Sequence, residues 1–206
     1  MLKINKTVTT SPEQMKIIIQ GMRNAKNSWH LFDSKSEGGT FSLGLNDGDL
    51  AGRLSEAGTD HRKFMRMMVV YIEVVAPLYW WKEFDTYKIG TVANSCSTMH
   101  KIQAKEFEIN DFSHEHLDNC GLNMMDTIIE NLNANRRLFN DTKEKKYWWQ
   151  MIQLLPSTYN QKRTVMLNYE VLRNIYHARK NHKLDEWHIF CEWIKTLPYN
   201  WLITGN

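Results

Sequence analysis

Apolar positions along the chain follow two different periods. Residues 163–180, RTVMLNYEVLRNIYHARK, repeat at helical spacing. At about 100° per residue, Asn168, Leu172, Ile175 and Arg179 share one stripe. Val165, Leu172, Ile175 and Tyr176 supply its apolar anchors, so the segment is predicted as a helix. Residues 64–76 read differently. Val69, Val70, Tyr71, Ile72, Val74 and Val75 are β-branched or aromatic, which predicts a strand that Pro77 ends. The run is almost wholly apolar, so both of its faces are expected to be covered. PLYWWKEFDTYK then reads as a helix, because Leu78 and Trp81, and Trp80 and Phe84, recur at helical intervals.

The rest of the pattern is mainly helical. Ser11-Pro12-Glu13-Gln14 forms a capping box with proline in the first turn, opening a helix to about Asn24. Glycine, serine and aspartate crowd residues 33–49, predicting a loop. A helix from Asp49 to Ala57 stops at Gly58. Residues 110–139 read as helix in pieces, and residues 143–155 as a helix stopped by Pro156. A last helix covers 184–196, and Pro198 ends the ordered part. Further strands are expected within 1–8 and 101–109. The predicted fold class is α+β, a central sheet flanked by several helices in a single domain over 1–206.

Composition narrows the function. The chain has 206 residues, 42% hydrophobic and 24% charged, as an ordinary globular protein has. A net charge of +3 suits anionic ligands but does not argue for DNA. Cys96, Cys120 and Cys191 are odd in number and form no CxxC pair, which leaves a disulfide framework and a zinc ribbon unsupported. Reduced thiols in the cytoplasm are the expectation. MLKINKTVTT lacks the apolar core of a signal peptide. The greasiest stretch, 67–81, is short and carries Glu73 and Pro77, so no membrane role is expected. Walker, GxGxxG, GxSxG and HExxH patterns are absent from the sequence.

Several side chains are candidates for chemistry. TYKIGTVANSCSTMH, 86–100, is rich in hydroxyls and amides just after the greasiest stretch. It is either a capped turn or a hydrogen-bonding surface. His61 follows a Gly-Thr-Asp turn and suits a surface or capping role as well as a catalytic one. Cys96 and His100 are spaced for a helical thiol–imidazole pair. His114 and His116 are spaced for a strand-borne metal pair but lack a third ligand, so no metal is expected. Arg179 has a planar fork suited to phosphate or a pyrimidine edge, and Asn168 and Asn174 can both donate and accept. Glu170, Arg173 and Lys180 equally suit a solvated, salt-bridged face.

The order of these segments resembles the flavin-dependent thymidylate synthases. That family has a histidine before a long strand, an Ala-Pro strand exit, a helix, and the signature RHRxxSxNExSxRY. A Leu-Pro turn and a helix patterned N-x-R-x-L-x-N-x-x-x-x-R follow. Here His61, Ala76-Pro77, TYKIGTVANSCSTMH, Leu155-Pro156 and NYEVLRNIYHAR (168–179) keep that order. With one extra residue, Ala93, Lys88 takes the place of the second arginine and Thr91 that of the first serine. Asn94 and Ser97 match, as do Asn168, Asn174 and Arg179. Thr86 and Tyr87 stand for the opening Arg-His, Ser95 for the glutamate, and Met99-His100 for the closing Arg-Tyr. Glu170 replaces an arginine of the late helix, and Ile152 one that contacts phosphate.

The resemblance implies a set of roles. His61 and Ser97 would assist catalysis. Lys88, Thr91, Asn94, Ser97, Asn174 and Arg179 would hold a nucleotide. Thr86, Tyr87, Lys88 and Asn168 would hold FAD. It also implies a homotetramer. The missing cations matter physically, since a charge-assisted hydrogen bond is worth about 1.5–3 kcal/mol. Losing three costs on the order of 10³-fold in affinity even when partly compensated. The expectation is therefore a divergent protein that binds a nucleotide or nucleotide-like ligand without the full ancestral reaction. The alternatives are active FAD-dependent methylation of dUMP or a related pyrimidine nucleotide, and a non-catalytic, bacteriophage-type protein that sequesters a host nucleotide. Tyr87, Trp80 and Trp81 are candidates to stack on a ring.

Overall fold

The computed structural model describes residues 1–205. The elements in chain order are β1 (Lys3–Thr9), α1 (Pro12–Met22), β2 (Lys35–Glu37), β3 (Thr40–Ser42), α2 (Leu45–Glu56), α3 (Lys63–Met67), β4 (Val69–Pro77) and α4 (Leu78–Phe84). They continue as β5 (Val92–Ser95), α5 (Thr98–Lys101), α6 (Asn119–Thr142), α7 (Lys145–Leu154), β6 (Asn160–Asn168), α8 (Tyr169–Arg179), α9 (Asp185–Ile194) and α10 (Trp201–Thr204). A four-stranded antiparallel sheet runs in the order β1-β4-β6-β5, and β2 pairs with β3 as a separate hairpin. The α+β class with helices around a central sheet is the observed one.

The chain divides into two compact units. One comprises Met1–Lys3, Val74–Thr86 and Asn94–Arg163. Its core joins Ile102, Phe107, Phe112, Met125, Leu132 and Met151, drawn from α6, α7 and the segment before them. The buried amide of Asn133 ties that segment down, accepting from the Phe107 N–H and donating to the Phe107 carbonyl, each at 2.9 Å. The other unit comprises Ile4–Glu73, Tyr87–Ala93 and Thr164–Asn206. It buries Ile19, Leu50, Met65, Leu172, Trp187 and Phe190.

Several local expectations change. The strand begins at Val69, because 63–67 lacks β-branched residues and forms α3, burying Phe64 and Met65. Along β4, Val70, Ile72, Val74 and Ala76 are buried while Tyr71 is 50% exposed, so one face is covered rather than both. Residues 33–49 are not a simple loop. Gly38 and Gly39 take φ of 58° and 75° and turn the β2–β3 hairpin. Helix α2 starts at Leu45 because the Asp33 carboxylate accepts the Asn46 and Asp47 N–H groups from outside the helix. The predicted helix 163–180 is half strand, since Thr164, Val165 and their neighbours extend β6 and the helix starts only after Asn168. Glu170 and Arg173 of α8 are buried rather than solvated.

Within 110–139 a single helix forms, α6, only from Asn119 onward and running to Thr142, capped by Asp118 through the Gly121 N–H. No strand forms in 101–109, whereas β1 occupies most of 1–8. Helix α4 ends at Phe84 instead of continuing to Lys88, and α10 follows Pro198. Among the described residues no helix is long and apolar enough to cross a membrane.

Candidate functional site

In the unit that contains α8, the junction of β6 and α8 builds a half-open cavity with several polar side chains in its wall. Asn168 ends the strand and caps the helix, its Oδ1 accepting the Val171 N–H at 3.0 Å. Its Nδ2 donates to the Gly90 carbonyl at 3.4 Å. Gly90 has φ of 82°, and a Cβ there would lie 2.6 Å from Asn168 Nδ2 and 2.9 Å from Val171 Cγ2. A glycine is thus required for the 87–93 segment to press against the start of α8. The resulting cavity, about 350 Å³, is lined by Thr59, Arg66, Ile89, Gly90, Asn168, Glu170, Val171 and Asn174.

Charge inside this cavity is paired. Arg66 of α3 donates through Nε to Glu170 Oε2 and through Nη2 to Oε1, the latter at 3.3 Å. Nη2 also donates to the Thr59 carbonyl at 3.2 Å. The hydrogen bond to Glu170 holds the Arg66 guanidinium above its usual range, against the opposing pull of desolvation. Glu170 is 10% exposed as a side chain and Arg66 42%. The carboxylate that replaces a family-pattern arginine therefore has its own cation. Sequence reasoning passed over Arg66, and the signal available was one arginine inside the apolar run KFMRMMVV.

Arg179, at the end of α8, is held from two sides. Its Nε donates to the Tyr87 hydroxyl at 2.9 Å, and its guanidinium lies 5.6 Å from the Tyr87 ring and 4.8 Å from the Trp187 ring. Tyr87 meets Trp187 edge-on at 6.0 Å. Tyr87 is thus an anchor for Arg179. Thr91 donates to the Tyr87 carbonyl at 2.6 Å, and Lys88 is exposed. His61 belongs to a different cavity of about 450 Å³, beside Met22, Asp60, Lys63, Phe64 and Met67.

The other unit carries Thr86, Asn94 and Ser97. Thr86 turns its hydroxyl back to the Glu83 carbonyl at 2.7 Å. Asn94 on β5 and Ser97 before α5 are exposed, and Ser97 makes no capping bond to that helix. Next to this stretch the Cys96 N–H donates to the Lys162 carbonyl at 2.9 Å. Gln161 donates to Thr98 Oγ1 at 3.0 Å and accepts from Arg163 Nε at 2.9 Å. Arg163 also pairs with Asp85 at 2.7 Å and covers the Trp81 ring at 4.3 Å. Arg163 is a second cation that sequence reasoning missed. Trp80 and Trp81 are 0% and 1% exposed and pack on Phe84, so neither presents a stacking face. Among the described residues no group of histidine, cysteine and carboxylate side chains is arranged to hold a metal.

The residues assigned to FAD fit that cofactor poorly. Thr86, Tyr87 and Asn168 spend their polar atoms on Glu83, Arg179, Val171 and Gly90. Lys88 is then the one cation left in the assigned set, and Glu170 adds a carboxylate where the resemblance calls for an arginine.

No protein-family model matches the chain, and no curated protein matches it. Solved structures do match. Thymidylate Synthase X (ThyX) from Helicobacter pylori with FAD and dUMP superimposes with a TM-score of 0.72 at 15% identity, covering 100% of both chains. A second structure of flavin-dependent thymidylate synthase ThyX from Helicobacter pylori, complexed with FAD and dUMP, gives 0.63 at 16% identity over 98% of this chain and 96% of that one. Over its whole length, the chain has the fold of the flavin-dependent thymidylate synthases.

Proposed function

We propose that this chain binds a nucleotide or nucleotide-like ligand on a flavin-dependent thymidylate synthase scaffold and does not perform the flavin reaction. The observation that supports this reading is the cavity at the β6–α8 junction. It keeps Asn168 and Asn174 beside the 87–93 segment while Glu170 and Arg66 cancel each other's charge. A half-open space of about 350 Å³ is of the size that small-ligand sites have. The reaction, by contrast, needs a cofactor that this chain's assigned residues fit poorly and an electrostatic field that Thr86, Tyr87 and Glu170 do not supply. Arg179, placed by Tyr87 and Trp187, is the cation assigned to the ligand. His61 and Ser97 carry no step in this reading. A homotetramer belongs to the same proposal.

The test combines two measurements on purified protein. The absorbance spectrum is expected to show no flavin band, and added FAD is expected to leave the melting temperature unchanged. A panel of nucleoside monophosphates and cyclic nucleotides is expected to contain at least one that raises it. A yellow protein that turns over dUMP refutes the loss of reaction. A panel without any shift refutes nucleotide binding.

A further inference from the structure

We propose that the cavity at Glu170 takes the base of the nucleotide, and that it selects a base carrying an exocyclic amino group over uracil or thymine. This rests on the nucleotide-binding reading above and names its ligand class. Glu170 is the buried charged group of the cavity wall, 10% exposed, and a carboxylate only accepts hydrogen bonds. Its two oxygens offer about four lone-pair sites. Arg66 donates one bond to each oxygen, which fixes the carboxylate and takes two of those sites, and Glu170 itself lines the cavity.

The phosphate end does not suit this place. A dianion would meet the Glu170 carboxylate, and Arg66 is already committed to that carboxylate and to the Thr59 carbonyl. A neutral base edge suits it. Cytosine, adenine and guanine each present an N–H2 donor that a carboxylate accepts. Uracil and thymine offer a single ring N–H with a carbonyl oxygen on each side, whereas an exocyclic amino group carries a second N–H on the side away from the ring nitrogen, where a carboxylate oxygen can accept it without facing that acceptor. Asn174 on the same wall both donates and accepts, so it completes either edge and does not decide between them. Discrimination therefore falls to Glu170. The position that holds an arginine in the family pattern holds an acceptor here, reversing which base edge it can meet.

The experiment titrates the full chain calorimetrically with dCMP, dAMP, dGMP, dUMP and dTMP. At least one amino-bearing nucleotide is expected to bind about tenfold or more tightly than dUMP and dTMP. Glu170→Gln is expected to shrink that preference to within a few-fold, since its amide both donates and accepts. Because Glu170→Gln removes the Arg66 counter-charge, circular dichroism melting accompanies it. Asn174→Ala, at an exposed position, is the second variant. It is expected to weaken all bound nucleotides several-fold without changing their ranking or the melting temperature. Equal or tighter binding of dUMP or dTMP by the unmutated protein overturns this inference and leaves the nucleotide reading standing. Binding of none of the five overturns this inference, and the broader nucleotide panel then decides the reading beneath it.

Discussion

Exchanging the two charges in the cavity wall tests the pairing on which the site depends. In Glu170→Arg, Arg66 loses its partner and faces a second guanidinium. Glu170 is 10% exposed, so the incoming charge is largely desolvated, whereas Arg66 is 42% exposed and screened by water. Breaking a fully buried pair costs roughly 3–5 kcal/mol, and an exposed pair contributes roughly 0–1 kcal/mol. A pair with one buried and one solvated end falls between them, at about 2–3 kcal/mol for Glu170→Arg. Arg66→Glu sets two carboxylates together and costs about 1–2 kcal/mol, less because water reaches position 66. The double variant Arg66→Glu/Glu170→Arg restores an opposite-charge pair and is expected within about 1 kcal/mol of the unmutated protein. Urea unfolding followed by tryptophan fluorescence gives all four stabilities, with 8 tryptophans as reporters. A double variant as unstable as the sum of the two singles would refute the argument, because it would mean the residues do not interact.

Three further outcomes follow from other contacts. Asp47 is 0% exposed and accepts from Arg23 Nε at 2.6 Å and from the Ser34 N–H at 2.9 Å, while Arg23 is 3% exposed. Asp47→Ala strands that guanidinium and should cost about 3–5 kcal/mol in denaturant unfolding, and a loss under 1 kcal/mol would contradict it. Gly90→Ala meets Asn168 and Val171 at a φ of 82° and should cost about 1–3 kcal/mol by thermal melting, together with nucleotide affinity. The Asp33 carboxyl is disfavoured as an anion by burial. The N–H groups of Asn46 and Asp47, with Arg23 nearby, outweigh this and hold its pKa below the ordinary 3.8. Its contribution to stability is complete above that value and is lost as pH falls through the lower folded-state value. Asp33→Asn should therefore flatten the acid limb of the stability curve below about pH 4, and an unchanged limb would exclude Asp33 as its source.

Particular elements show where sequence reading succeeds and stops. The α1 capping box is present as read, with Ser11 Oγ accepting the Gln14 N–H and Gln14 Oε1 the Ser11 N–H. All of that box lies within four residues, so local sequence specifies it. The start of α2 lies four residues before the position that local sequence suggests, because Asp33, which accepts its first N–H groups, comes from outside the helix. The run RTVMLNYEVLRN fits a helical stripe and a strand equally well, and pairing within the sheet chose strand up to Asn168. Segment order points to Asn168 and Asn174, which line the cavity, and to Arg179, which is not among its lining residues, while Glu170 stands out in the sequence as a departure from the family pattern. Arg66 was invisible as its partner because 104 residues separate the two.

By itself the sequence determined the α+β class, the order of segments and the absence of arginine from 86–100 and from position 170. Each is a matter of residue identity, period or spacing along one chain. Tertiary structure alone decided that Tyr87 anchors Arg179, that Trp80 and Trp81 are core, and that Glu170 is a buried acceptor matched by Arg66. The physical reason is that a side chain's role depends on which distant groups desolvate it and bond to it. Those partners are set by packing, which local periodicity does not encode.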